Sequence, residues 1–142
     1  MDESVLTKIR HIIGGNLGAS LRMVLEDAGD DRCILQMPTD GTALNARQRV
    51  HGGAIAALID TAATGAAWAC PELGPNARGT TVSISINYQA SPQGDMLRAA
   101  ARVTRRGRSM VFLEISVTDS NATAIAHGIV SYKLDPGSPQ GA

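Results

Sequence analysis

Between residues 45 and 88 the chain carries a carboxamide, an imidazole, a carboxylate and several hydroxyls in an order suited to attack on an activated carbonyl carbon. Asp60 is the only charged residue in the run from 52 to 69, GGAIAALIDTAATGAAWA. A lone carboxylate among apolar neighbours is costly to bury without partners, so it calls for a reason. His51 stands just ahead of Gly52 and Gly53, where a helix opens. A helix start exposes unpaired N–H groups and the positive end of the dipole, a natural place for developing negative charge. Cleaving an acyl bond takes an attacking group, a seat for the charge on the carbonyl oxygen, and something to orient substrate and water. Asp60 would be the first, as general base or as nucleophile. The Gly52 N–H would be the second, with His51 orienting the carbonyl group or supporting that seat. The plainer alternatives are a histidine that caps a helix and a partnered interfacial aspartate bonded to Thr64.

These residues need a helix to hold them. Eight of the residues from 52 to 69 are alanine, which gives high helix propensity and a thin cylinder that strands can approach closely. At about 100° per residue, Gly53, Ala56, Ala57, Ala63, Thr64 and Ala67 share the face of Asp60, while Ile55, Leu58, Ile59 and Ala66 lie toward the other side. His51 and Asp60 are nine residues apart, about 13.5 Å of rise and half a turn of extra rotation. They point in opposite directions and form no common site within one chain. If both serve one substrate, each site takes His51 from one subunit and Asp60 from another, and a homodimer is a functional requirement.

The rest of the chain supplies a frame for that helix. Residues 3 to 12 place Val5, Ile9 and Ile12 at helical spacing ahead of Gly14-Gly15, so 1–15 reads as a short amphipathic helix and linker. Residues 17 to 37 read as a β-hairpin about Gly29-Asp30-Asp31, and 38 to 49 as a polar loop whose Arg47 and Arg49 could meet an anion. Four strand-like runs follow, at 79–90, 96–105, 109–118 and 123–134, the last three joined by short turns. Val82, Ile84, Ile86 and Tyr88 alternate with polar residues, as do Val111, Leu113, Ile115 and Val117. An antiparallel sheet with one apolar face needs a cover, and the alanine-rich helix is the obvious one. The expectation is an α+β chain, one domain over 1–142, ending in a flexible tail at 135–142.

Asn45 six residues before His51, the triplet His51-Gly52-Gly53, Leu58-Ile59-Asp60 with small residues after it, and Thr81-Val82-Ser83 running to Asn87-Tyr88 and Ser91-Pro92 form a recognisable series. Over roughly residues 40 to 134 the chain resembles the hotdog-fold acyl-CoA thioesterases of the phenylacetate-pathway (PaaI-like) type. The resemblance implies an antiparallel sheet wrapped around one long central helix. It implies hydrolysis of an aryl- or short- to medium-chain acyl-CoA to the free acid and CoA, in a homodimer and further in a homotetramer. Asn45 matches the position that holds the catalytic water or the thioester carbonyl. Thr81 matches a hydroxyl position that contacts the nucleophilic water, but the strand to Pro92 is one residue longer than the family pattern, so Ser83 competes for the role. Gly53 and Thr64 line the substrate lane beside Asp60. Arg106 and Arg108, in the run Arg105-Arg106-Gly107-Arg108, would meet the CoA phosphates, the alternative being a solvated hairpin tip.

Composition excludes several other classes. Formal net charge is zero, and only 3% of residues are aromatic, so neither a basic field nor stacking platforms favour nucleic acid. Asp60 interrupts the one apolar run that approaches membrane-spanning length, and the charged start MDESVLTKIR lacks a signal-peptide core. A cytoplasmic protein with no membrane partner is expected. Cys33 and Cys70 read as free buried thiols, and His11, His51 and His127 are scattered, so no metal and no cofactor is expected. Two rivals remain: a non-catalytic acyl-CoA-binding sensor, and a hotdog hydratase/dehydratase, whose Asp-x-Asn-Pro-x-x-x-His pattern is absent here.

Overall fold

A computed structural model describes residues 2–138. Two short helices, α1 (Glu3–Ile13) and α2 (Asn16–Ser20), precede the strands β1 (Val24–Gly29) and β2 (Arg32–Pro38). The long helix α3 (Gly52–Trp68) follows a loop with one 3-10 turn, and the strands β3 (Arg78–Tyr88), β4 (Met96–Arg106), β5 (Met110–Thr118) and β6 (Ala124–Asp135) complete the chain. All six strands form one antiparallel sheet in the order β1-β2-β4-β5-β6-β3. The chain therefore leaves β2, crosses as α3 and returns at the far edge of the sheet before filling in its middle.

Alternation in β5 does what the pattern requires. Val111, Leu113, Ile115 and Val117 are buried while the residues between them are not. They share one buried core with Leu58, Ile59, Ala62 and Ala66 of α3, all fully buried, and the sheet packs on the helix from β2 through β6. Small side chains on both sides, such as Ala99 and Ala101 on β4, let helix and sheet approach closely. Helix α1 buries Val5, Ile9 and Ile13 and packs on another side of α3.

The β1–β2 hairpin turns on Asp30 and Asp31, both at positive φ (50° and 63°), with Gly29 paired to Arg32. That is the two-residue turn whose twist suits a hairpin. The hairpin is shorter than the 17–37 expected, because residues 16–20 form α2 and Leu17 stays 61% exposed, with no strand partner. The first two residues of the expected flexible tail are held in place. Asp135 ends β6, and the Gly74 N–H donates to the Pro136 carbonyl at 2.8 Å. Residues 139–142 of that expected tail lie outside the described residues.

Candidate active site

The N-terminus of α3 shows where each backbone donor goes. Ala54 and Ile55 N–H both donate to the His51 carbonyl, at 2.9 and 3.3 Å, and the Gly53 N–H donates to His51 Nδ1 at 2.7 Å. Among the described residues the Gly52 N–H has no acceptor, so it is the one free donor of the first turn. Because a backbone N–H can only donate, Nδ1 of His51 must accept, and in the neutral ring the proton sits on Nε2. His51 is thus a cap of its own helix and, through Nε2–H, a donor facing outward; it is exposed. Gly53, expected to touch substrate, has its N–H occupied by that cap.

Asn45 organises the loop before the helix. Its side-chain oxygen accepts from the Arg47 and Arg49 N–H groups at 2.9 and 3.1 Å, and its own N–H donates to the Arg49 carbonyl at 2.7 Å. Two backbone donors aimed at one atom identify it as the oxygen, so the amide NH2 is the group left to meet a ligand. The His51 N–H in turn donates to Ala43 O at 2.7 Å, tying this loop to the helix start. A cleft of about 480 Å³ opens beside it, lined by Asn45, Arg49, Val50, Pro92, Gln93 and other loop residues.

Asp60 is half-buried on a stripe of α3 that also carries Ala56, Ala57, Thr61, Thr64 and Trp68. The stripe is rotated from the one expected, toward Thr61 and Trp68, so Ala63 and Ala67 are fully buried. The Thr81 hydroxyl donates to Asp60 Oδ1 at 2.7 Å, while Thr64 donates to the Asp60 carbonyl at 2.9 Å rather than to the carboxylate. Ser83 faces the other way. It pairs with Ser131 on the outward side of the sheet, while Thr81 pairs with buried Tyr132, because the register slips between Thr81 and Ser83. The extra residue of this strand is a β-bulge at Val82, and it leaves Thr81 as the hydroxyl on Asp60.

Within the chain the free Gly52 N–H and Asp60 are eight residues apart, about 12 Å along the helix axis. The fold is that of known proteins. An acyl-coenzyme A thioesterase 13 from Mus musculus is 27% identical over 75% of this chain and 76% of its own length. A thioesterase family protein from Silicibacter pomeroyi superposes with a TM-score of 0.84 at 20% identity, over 94% of this chain and 99% of that one. The PaaI protein of E. coli, from the phenylacetic acid degradation operon, superposes at 0.79 and 19% identity over 96% of each chain. The sequence pattern of the thioesterase superfamily matches residues 48–126, from the loop before α3 into β6. This chain belongs to the thioesterase superfamily. It is a thioester hydrolase with the hotdog fold, the sheet and central helix that the sequence leads one to expect.

In this thioesterase the arginine run at the β4–β5 turn divides. Arg108 is exposed in the turn, but Arg106 points inward, donating to the Ala67 carbonyl at 3.0 Å and to Asp31 Oδ1 at 2.8 Å. A second register slip, between Val103 and Arg105, turns it to the helix side, where it serves the C-terminus of α3 instead of an external phosphate. Two further residues border the site without having been singled out for it. Tyr88 donates its hydroxyl to the Gly52 carbonyl at 2.8 Å. Tyr132 accepts from Trp68 Nε1 at 2.9 Å and closes the far end of the Asp60 stripe, burial raising its phenol pKa. Both come from alternating strand positions, which marks a face but not what that face touches.

The sheet ends in two edge strands, β1 and β3, and the β3 edge is the longer. β3 pairs only with β6, and Val82 (57%), Ile84 (38%) and Tyr88 (54%) stay exposed along it. An eleven-residue edge strand with apolar side chains and unpaired N–H and C=O groups is a template for another strand. No helix among the described residues is long and apolar enough to cross a membrane.

Proposed function

We propose that this protein hydrolyses acyl-CoA thioesters at two equivalent sites of a homodimer, each combining Asn45, His51 and Gly52 of one subunit with the partner subunit's Asp60 and Thr81. One observation carries the reading: a free donor at Gly52 and an anchored carboxylate at Asp60 sit apart on the same helix, beside an uncovered strand edge that a second copy would complete. An isologous contact brings each group to the other's counterpart.

The thioester carbonyl would lie on the Gly52 N–H and His51 Nε2–H, with the Asn45 NH2 holding the carbonyl or the water. Thr81 fixes one carboxylate oxygen of Asp60, and the other is left for the reaction. As general base it takes a proton from water, whose oxygen adds to the carbonyl carbon; the C–S bond then breaks and CoA leaves as thiolate. As nucleophile it would form an acyl anhydride that water opens. Single-turnover reaction in labelled water separates the two routes by whether label enters the Asp60 carboxylate.

The name of the murine relative supports CoA as the carrier. Arg49 in the loop cleft, and exposed Arg108 at the β4–β5 turn, are among the cations with no ion-pair partner among the described residues and are available to its phosphates. The narrow stripe of Ala57, Asp60 and Thr64, stopped by the Trp68–Tyr132 pair about 12 Å from Asp60, suits a slender or planar acyl group. Phe112 (38% exposed) and Ile129 (59%), on the outward sheet face, support a second contact joining two dimers into a tetramer. Two unpaired cysteines fit a reducing cytoplasm.

Thiol release from a panel of phenylacetyl, benzoyl and straight-chain acyl-CoAs tests the activity, and light scattering the assembly. Asp60→Asn is expected to stay folded and dimeric but lose turnover. Co-expressing it with a His51→Ala subunit should restore roughly a quarter of wild-type activity, because half of randomly formed dimers carry one intact site. Full activity of the Asp60→Asn dimer, or no recovery in the mixed dimer, would sink the shared-site reading. A protein that binds the panel without releasing thiol would be a binder instead.

A further inference from the structure

Two hydrogen bonds at the start of α3 meet on a single peptide group. The Tyr88 hydroxyl donates to the Gly52 carbonyl at 2.8 Å, and the N–H of that same peptide, belonging to Gly53, donates to His51 Nδ1 at 2.7 Å. The order is therefore Tyr88 O–H, then the Gly52–Gly53 peptide, then the imidazole, and finally His51 Nε2–H, which faces outward. Bonds in such a chain polarise one another: a donor on the carbonyl makes the amide N–H a stronger donor, and a stronger donor at Nδ1 makes Nε2–H more acidic.

The local sequence builds this chain on purpose-shaped parts. A Cβ at residue 53 would lie 2.9 Å from His51 Nδ1 and 3.0 Å from Cε1, so only glycine lets the ring fold back over the helix start. Tyr88 is the last residue of β3 and faces the helix opposite buried Ala126, which brings its hydroxyl to the first turn of α3. Nothing in the packing of the core asks for it, since Tyr88 is 54% exposed.

We propose that Tyr88 is a positioning residue of the thioesterase centre, holding His51 as the Nε2–H tautomer and strengthening it as a donor to the thioester carbonyl through the Gly52–Gly53 peptide. This rests on the role given to His51 above. It assigns Gly53 as well: its missing side chain is a seat for the imidazole rather than a contact for substrate.

Tyr88→Phe removes the hydroxyl and keeps the ring. It is expected to lower kcat about 3- to 10-fold, the range of one neutral hydrogen bond, with KM for acyl-CoA little changed. In a His51→Ala background the same change should cost nothing further. Nitrogen NMR on 15N-histidine protein reads the relay without turnover. His51 is identified among the three histidines by its loss in His51→Ala, and in wild type its Nδ1 should show the shift of a hydrogen-bonded, unprotonated nitrogen. Tyr88→Phe should move that resonance toward the unbonded value, and Gly53→Ala should move it further. An unchanged His51 spectrum in a folded Tyr88→Phe protein overturns the proposal, as does an equal kcat loss with and without His51. If the protein proves to be no hydrolase, the kinetic arm is silent throughout, including for wild type, while the spectral arm still decides whether Tyr88 sets the tautomer.

Discussion

Replacing Thr81 by valine keeps a β-branched side chain of the same shape and swaps one hydroxyl for a methyl. The structure gives that hydroxyl one partner, Asp60 Oδ1 at 2.7 Å. A hydrogen bond to a charged group contributes about 1.5–3 kcal/mol. If that bond holds the carboxylate in the attacking geometry, its loss appears in kcat at about tenfold per 1.4 kcal/mol, so roughly 10- to 150-fold. KM should hardly move, because Thr81 would touch neither CoA nor acyl group. Thr81→Ser keeps the donor and should recover most of the rate. Ser83→Ala is the internal control: the residue pairs with Ser131 on the outward face, so its change should stay within about twofold. The assay is steady-state thiol release across the acyl-CoA panel, with a thermal melt to confirm folding. A folded Thr81→Val protein within twofold of wild type, or a Ser83→Ala protein as impaired as Thr81→Val, would refute the reasoning about the Val82 bulge.

Arg106→Met should destabilise the protein by about 1–2 kcal/mol, since it removes a cation from the α3 C-terminus and its bond to the Ala67 carbonyl; the melting temperature should fall by roughly 3–8 °C, with KM for acyl-CoA unchanged. A raised KM with unchanged stability would return Arg106 to the substrate. Buried Asp119 accepts backbone N–H bonds from Gln93, Thr123 and Asn121, which lower its pKa, so it stabilises the fold above the unfolded-state value near 4 and stops doing so as pH falls through its folded value. Asp119→Asn should therefore melt well below wild type at neutral pH, with the gap narrowing below about pH 4; a gap independent of pH would contradict this. Burial pushes the Cys33 thiol pKa up to about 12 and also raises that of Cys70, which bonds Glu72, so a disulfide reagent at mild pH should find neither until the protein is unfolded in denaturant.

Much of this was legible from residue patterns. The bounds of α3, the four later strands within a residue or two, and the isolation of Asp60 follow from periodicity and from the cost of a buried charge. The separation of His51 and Asp60 along one helix follows from its rise per residue. Residues 17–21 were misread as strand because a five-residue helix offers no period to detect, and its one large apolar residue, Leu17, is exposed. The choice between Thr81 and Ser83, and the inward turn of Arg106, were not legible at all. Each depends on a one-residue slip between paired strands, and a slip exists only relative to the partner strand, which the local sequence does not encode.

The slip at Val82 decides more than the direction of one side chain. In a regular strand, residues an odd number apart face opposite sides, so Thr81 and Tyr88, seven apart, would not share a face. With Val82 bulged out they both face α3, Thr81 onto the Asp60 carboxylate and Tyr88 onto the Gly52 carbonyl. In the proposed dimer those two points of α3 belong to different active sites, because each site takes the start of one subunit's helix and the middle of the other's. A single edge strand then holds the acid of one site and the donor of the other, and its free side is open to a second subunit. Pairing β3 with its counterpart would brace both half-sites at once, which gives assembly a direct route to activity through the strand that bears Thr81 and Tyr88 rather than through the helix alone.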